Sequence, residues 1–249
     1  MSRGVYGHRG ASGYAPENTL EAFELAARQG AHGVELDVHL SRDGELVVAH
    51  DETLERVSDG VGRLCDHTLV ELKRLRFNRT HPEYQNARIP TLGEVFELIA
   101  RYNLKVNVEL KNSLIDYPDL EKHCMELAER MGVTERVLYS SFNHYSLMRI
   151  KAMDSSIPCG VLYGCTMVRP WEYGHALGMN ALHPHFSELQ TLGECAEAHT
   201  LGLEVNPWTV NEDADILMAF RAGADRLITN YPDRALRLLA KLNTGETST

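Results

Sequence analysis

The chain is short of cysteine, of positive charge and of long apolar runs, and each shortage closes off a class of protein. Its five cysteines (Cys65, Cys124, Cys159, Cys165, Cys195) are odd in number and scattered, with no CxxC. That pattern fits reduced, buried thiols in a cytoplasmic protein better than a disulfide framework. Lysine and arginine number 25 against 35 aspartates and glutamates, a net charge of −10. Such a balance argues against nucleic acid as an electrostatically held partner. It does not exclude an anionic substrate, because one bound metal reverses the field locally. No apolar run approaches membrane-spanning length and the N-terminus shows no basic-then-apolar signal region, so a soluble cytoplasmic protein without membrane insertion is expected. Homo-oligomer formation is left open.

What is present is an ordinary globular composition, 43% hydrophobic and 24% charged, over 249 residues. Its most informative stretch is Val34-Glu35-Leu36-Asp37-Val38-His39. Val34, Leu36, Val38 and Leu40 make one apolar face at period two, which reads as a strand. Glu35, Asp37 and His39 share the other face. In a chain that alternates strand and helix, the sheet is expected to be parallel and covered on both sides. Two carboxylates on a covered face are costly unless a cation or strong hydrogen bonds offset their desolvation. A divalent metal is the simplest expectation.

The rest of the chain repeats the alternation. Gly4–Gly7 is a strand ending at His8-Arg9-Gly10-Ala11. Asn18, with Glu21 three residues on, reads as the cap of a helix over Thr19–Gln29. Gly33–Leu40 is the second strand, and Glu45–Ala49 an extended piece running to His50-Asp51. From about Glu52 to Arg88 the periodicity breaks, as in an inserted excursion with some helix (Leu69–Leu75). Thr91 and Glu94 then form a capping box for a helix to Tyr102. Further strands are expected at Lys105–Leu110, Val137–Ser140, Cys159–Leu162, Ala181–His183, Leu203–Asn206 and Arg226–Thr229. Helices are expected at Leu120–Met131, Asn143–Met153, Pro170–Leu177, Ser187–Thr200, Glu212–Ala222 and Pro232–Leu242. Eight strand–helix units in 249 residues predict a single (β/α)8 TIM barrel over 1–249 with a small insertion after strand two; a doubly wound open sheet is the alternative. Residues 243–249 are polar and expected to fray.

Working residues of such a barrel lie at the C-terminal ends of its strands. Those ends carry His8 and Arg9, then Glu35 and Asp37, then His50, then Asn107, Glu109 and Lys111. Glu35, Asp37 and Glu109 would converge into an all-oxygen site suited to one hard cation, Mg²⁺ or Ca²⁺. Asn107 and Lys111 would complete its shell or offset its charge. His8 and His50 can each give or take a proton near neutral pH. Arg9 supplies a forked donor for a phosphate. Together these groups describe cleavage of a phosphoryl ester. His183 and His185 flank Pro184 at a rim position, and Trp208 and Phe142 are candidate walls for a bound alcohol. His39 is expected to pack rather than react.

The motifs also carry a resemblance. His8-Arg9-Gly10-Ala11, Pro16-Glu17-Asn18-Thr19, Glu35-Leu36-Asp37-Val38, Asp43-Gly44 and His50-Asp51 resemble the glycerophosphodiester phosphodiesterase family. So do Glu109-Leu110-Lys111, Ser140-Ser141-Phe142, Trp208 and Thr229-Asn230-Tyr231-Pro232-Asp233. The resemblance implies a barrel with an insertion after strand two, catalytic histidines at His8 and His50, and metal carboxylates at Glu35, Asp37 and Glu109. It places Arg9 and Lys111 at the phosphate. It also implies metal-dependent hydrolysis of small glycerophosphodiesters to sn-glycerol 3-phosphate and an alcohol. One departure is Asn230, where many relatives have aspartate, and it is expected to lie outside the chemistry. Two rivals are a lysophospholipid-cleaving enzyme with an apolar groove and a non-catalytic phosphodiester-binding barrel.

Overall fold

Each strand of this chain has two faces to bury, and alternating strands with helices satisfies both by closing a sheet on itself inside a ring of helices. The computed structural model describes residues 3–189 and 194–245. Its strands are β1 (Gly4–His8), β2 (Gly33–Leu40), β3 (Leu46–Val48), β4 (Lys105–Leu110), β5 (Val137–Ser141), β6 (Cys159–Tyr163), β7 (Ala181–Pro184), β8 (Glu204–Val205) and β9 (Arg226–Thr229). Neighbours run in the order β8-β7-β6-β5-β4-β2-β1-β9, with β3 off this path and antiparallel to β2. Between β8 and β9 the gap is bridged by backbone bonds from Asp225 N to Val205 O (2.8 Å) and from Ile228 N to Pro207 O (3.0 Å). The eight parallel strands among the described residues therefore form a nearly closed (β/α)8 barrel.

The helices are α1 (Leu20–Arg28), α2 (Leu69–Leu72), α3 (Leu92–Tyr102), α4 (Leu120–Arg130), α5 (His144–Met153), α6 (Pro170–Ala176), α7 (Glu194–Thr200), α8 (Asp213–Ala222) and α9 (Pro232–Thr244). Helix α3 begins with the expected capping box between Thr91 and Glu94. Helix α1 begins one residue later than expected: Thr19, not Asn18, is the cap and accepts from Ala22 N. Asn18 sits at φ 55° and turns its side chain toward β2. Of the helix expected over Ser187–Thr200, Phe186–Glu188 forms a 3₁₀ turn, Leu189 is helical and Glu194–Thr200 is α7, while residues 190–193 lie outside the described residues. Residues 246–249 of the polar tail also lie outside them. No helix among the described residues is long and apolar enough to cross a membrane.

Every residue of β2 is buried. Val34, Leu36 and Val38 join Phe23, Val95, Phe96, Val106 and Val108 in the main core between sheet and helices. Truncating one such leucine to alanine typically costs about 2–5 kcal/mol. Inside the barrel the fit is close. A Cβ on Gly160 would fall 2.5 Å from His183 Nε2, so glycine in β6 makes room for the imidazole from β7.

The segment between β3 and α3 packs around a second, smaller cluster, which includes Leu54, Val57, Leu64, Leu72, Phe77 and Ile89. Strand β3 joins the two clusters by its alternation. Leu46 and Val48 face the main core while Val47 faces the excursion.

Candidate active site

The parallel register of β1, β2 and β4 brings the polar residues together. His8 lies level with Glu35, and Asp37 level with Glu109. One oxygen from each of Glu35, Asp37 and Glu109 lies within 4.8 Å of the others, and all three residues are buried. Burial and the neighbouring charges of Asp37 and Glu109 push the Glu35 carboxyl well above the usual range. Burial and Asp37 push Glu109 up to about 7, against the pull of Lys111. Burial opposes ionisation of Asp37 too, but Arg9, His50, Lys111 and the Asn18 hydrogen bond outweigh it and hold that carboxyl below its usual range.

The loop after β1 closes over this cluster. Arg9 adopts φ 54°, unusual for a side chain with a Cβ, and its backbone N–H donates to Glu35 Oε2 at 3.0 Å. Its guanidinium reaches Glu17 Oε1 at 2.9 Å and lies 3.4 Å from Asp37 Oδ2. Asn18 donates from Nδ2 to Asp37 Oδ2 at 2.8 Å. Two left-handed non-glycine residues thus both bind the carboxylate cluster, a placement of backbone strain common at functional sites. Gly10 follows at φ 84°, where a Cβ would meet the Ala22 backbone at 2.5 Å. Lys111 Nζ lies 3.0 Å from Glu109 and 3.8 Å from Asp37.

Whether these residues fit a cation is answered by their free oxygens. Asp37 Oδ1 and Asn107 Oδ1 are buried and have no hydrogen-bond partner. Asn107 is level with Glu35 and on the same strand face as Glu109. Buried acceptors with unused lone pairs, beside three carboxylates faced by two fixed cations, make a site that can hold a hard metal ion.

Both histidines stand beside the cluster, each anchored by Nδ1. His8 Nδ1 is 2.7 Å from Asn230 Oδ1, and its Nε2 lies 4.0 Å from Glu35 Oε2. Burial and the Arg9 charge lower its pKa to about 4. His50 Nδ1 is 2.6 Å from Asp51 Oδ1. Trp208 is half-buried, donates from Nε1 to His183 O at 2.8 Å, and precedes Thr209, whose hydroxyl is 3.4 Å from His8 Nε2. His8, Arg9, Glu35, Asp37, His50, Glu109, Lys111 and Trp208 thus lie within or shortly after the strands β1, β2, β3, β4 and β8.

The sequence matches the Glycerophosphoryl diester phosphodiesterase family over residues 8–234, from the first of these histidines to beyond Asn230. The chain belongs to that family. It is 41% identical to a glycerophosphodiester phosphodiesterase of Caldanaerobacter subterraneus subsp. tengcongensis over 95% of this chain and 98% of that one. It is 37% identical to one from Bacillus altitudinis, over 94% and 97%. Among solved structures, an Oleispira antarctica phosphodiesterase in complex with the product sn-glycerol-3-phosphate superposes with a TM-score of 0.88 at 33% identity. That match covers 96% of this chain and 97% of that one.

Several residues of this phosphodiesterase site escape sequence reasoning. Asn18 looks like a helix cap but serves Asp37. Asn230, expected to lie outside the chemistry, holds His8 from 222 residues away in the chain. Glu17 accepts from Arg9 and Arg56, and Arg56 also donates to Asp51, so a charged chain runs from Arg9 through the excursion to His50. The available signal was adjacency: Glu17 and Asn18 share a loop with Arg9, and Asp51 follows His50. His183, a candidate for substrate contact, is buried with Nε2 3.2 Å from Asn206 Nδ2, and burial lowers its pKa to about 3. His39 packs against Tyr117, 3.0 Å from its hydroxyl.

Proposed function

We propose that this chain hydrolyses glycerophosphodiesters to sn-glycerol 3-phosphate and an alcohol, with a divalent cation, Mg²⁺ or Ca²⁺, at Glu35, Asp37 and Glu109. The observation that carries this reading is the three buried carboxylates, an Asp37 oxygen without a hydrogen bond and the anchored His8 beside Glu35, in a chain of this family. The product held by the Oleispira antarctica relative supports the same choice of substrate. When bound, the cation supplies Lewis-acid polarisation of the phosphate. Arg9 and Lys111 are the chain's own cations at the site and neutralise the phosphate oxygens. A nucleophile oxygen bonds to phosphorus as the phosphorus–oxygen bond to the alcohol breaks: water as nucleophile gives glycerol 3-phosphate directly, whereas the substrate's own C2 hydroxyl gives a cyclic phosphate that water then opens to glycerol 3-phosphate. His8 and His50 share the two proton transfers, one taking the nucleophile's proton and the other giving a proton to the departing alkoxide. Asn230 and Asp51 fix their rings at Nδ1, which leaves each Nε2 for the reaction.

The test is release of glycerol 3-phosphate from glycerophosphocholine with Mg²⁺, with Ca²⁺ and with chelator, for wild type and His50→Ala. Metal-dependent release that disappears in the variant is expected. Release that persists in chelator, or in His50→Ala, refutes the corresponding role. A substrate lacking the glycerol C2 hydroxyl separates two nucleophiles: slow turnover marks that hydroxyl, unchanged turnover marks water.

A further inference from the structure

The ends of β5, β7 and β8 each carry an aromatic ring. Phe142 follows β5 and is exposed, while His185 follows β7 and Trp208 follows β8, both half-buried. Phe142 and Trp208 have centroids 5.5 Å apart with planes at 87°. Trp208 and His185 are 5.4 Å apart at 84°. Trp208 therefore stands perpendicular to a ring on each side. The corner also adjoins the reaction centre, because the residue after Trp208 touches His8.

Arg9, Lys111 and Arg56 come from the β1 loop, the end of β4 and the excursion, where they meet Glu17, Asp37, Asp51 and Glu109. On the aromatic side one neighbour among the described residues is an acid. His185 Nδ1 lies 2.8 Å from the Ser187 hydroxyl, which is 3.4 Å from Glu188 Oε1, and Glu188 Oε2 is buried without a hydrogen-bond partner.

A diester with its phosphate among the cations has two arms, and the corner beside His8 is within reach of its alcohol arm. Aromatic faces attract a cation through their negative quadrupole, tryptophan most strongly, and perpendicular rings present such faces from more than one side. A quaternary ammonium group suits this surface better than a primary ammonium. It has no N–H to leave unpaired, and its methyl groups lie flat on the rings. We propose that Phe142, Trp208 and His185 form a subsite for a quaternary ammonium alcohol, so that the preferred substrate is a choline-type glycerophosphodiester. This rests on the phosphodiesterase reading above and adds the leaving alcohol to it.

The experiment compares kcat/KM on glycerophosphocholine, glycerophosphoethanolamine and the uncharged carbon isostere, the 3,3-dimethylbutyl ester. It uses wild type, Phe142→Leu, Trp208→Phe and Trp208→Leu. Phe142 is exposed, so its variant tests the subsite without emptying the core. Wild type should prefer the choline ester over the isostere by about 2- to 30-fold, the range of a cation held by aromatic faces. The ratio should fall toward one in Phe142→Leu and Trp208→Leu and be partly kept in Trp208→Phe. Equal turnover of choline ester and isostere by wild type overturns the subsite, since the corner is then an apolar wall, and leaves the phosphodiesterase reading standing. A preference unchanged in both leucine variants overturns it as well, because the cation is then held elsewhere. Failure to cleave any of the three esters overturns both readings.

Discussion

Loading the carboxylate cluster with a divalent cation should raise the melting temperature, and replacing Glu35 with glutamine should reverse its own effect according to whether the ion is present. In chelator, three buried carboxylates face two cations, with Arg9 3.4 Å from Asp37 and Lys111 3.0 Å from Glu109. The surplus shows in Glu35, whose carboxyl is forced well above its usual range. An ion at 100 times its dissociation constant stabilises the folded state by about 2.7 kcal/mol. For a domain of this size each kcal/mol moves Tm by about 2–4 °C, so the expected rise is about 5–10 °C. Glu35→Gln keeps an oxygen to accept from the Arg9 backbone N–H. It removes the cost of burying that acid beside Asp37 and Glu109, which should stabilise the ion-free protein by about 1 kcal/mol or more. The same substitution removes a ligand, so the ion-dependent rise should shrink below about 2 °C. Glutamine therefore melts above wild type in chelator and below it with Mg²⁺ or Ca²⁺. Scanning calorimetry at fixed pH reads both. Equal shifts in the two proteins, or no shift in wild type with either ion, would refute the assignment of this cluster as a metal site.

Three further outcomes are expected. Asn230→Ala frees His8 Nδ1 from its 2.7 Å anchor, so kcat should fall by about 10-fold or more, the worth of one buried hydrogen bond, with KM little changed; steady-state kinetics check it. His183 is neutral in the folded state, with a pKa near 3, whereas the unfolded chain takes up a proton there below about 6.5. Its contribution is thus present above that value and lost as pH falls. The stability gap between His183→Gln and wild type should move by about 2 kcal/mol in the variant's favour from pH 7 to pH 5, read by denaturant titration. Asn18→Ala and Asn18→Gly both delete the 2.8 Å bond to Asp37 and should lower activity alike. Alanine at φ 55° adds about 1 kcal/mol of strain, so the glycine variant should melt higher.

The barrel was legible because its signals are local. The two faces of β2 differ at period two, and the Thr91–Glu94 box marks α3 within the residues that form it. The carboxylates followed from the same periodicity, since registered neighbours carry acids at matching strand positions. What stayed hidden depends on contacts the chain makes only after closing. Asn18 has the chemistry of a cap, and only the neighbouring β2 shows that its amide is needed by Asp37 while Thr19 caps the helix. Asn230 meets His8 because β9 and β1 are adjacent in the closed sheet. Phe142, His185 and Trp208 were each legible as candidates at strand ends, but their meeting in one corner was not, because the ends of β5, β7 and β8 are far apart in sequence.

The excursion's separate packing has a consequence for heat inactivation. Its cluster is small, and segments with few buried apolar contacts open at lower free energy than the core they border. Yet Arg56, which belongs to it, joins Asp51 beside His50 to Glu17 beside Arg9. When that segment opens, the histidine and the arginine lose their common brace while the barrel strands keep theirs. Activity should therefore disappear on warming before the barrel melts, and return on cooling from temperatures at which the strands are still paired.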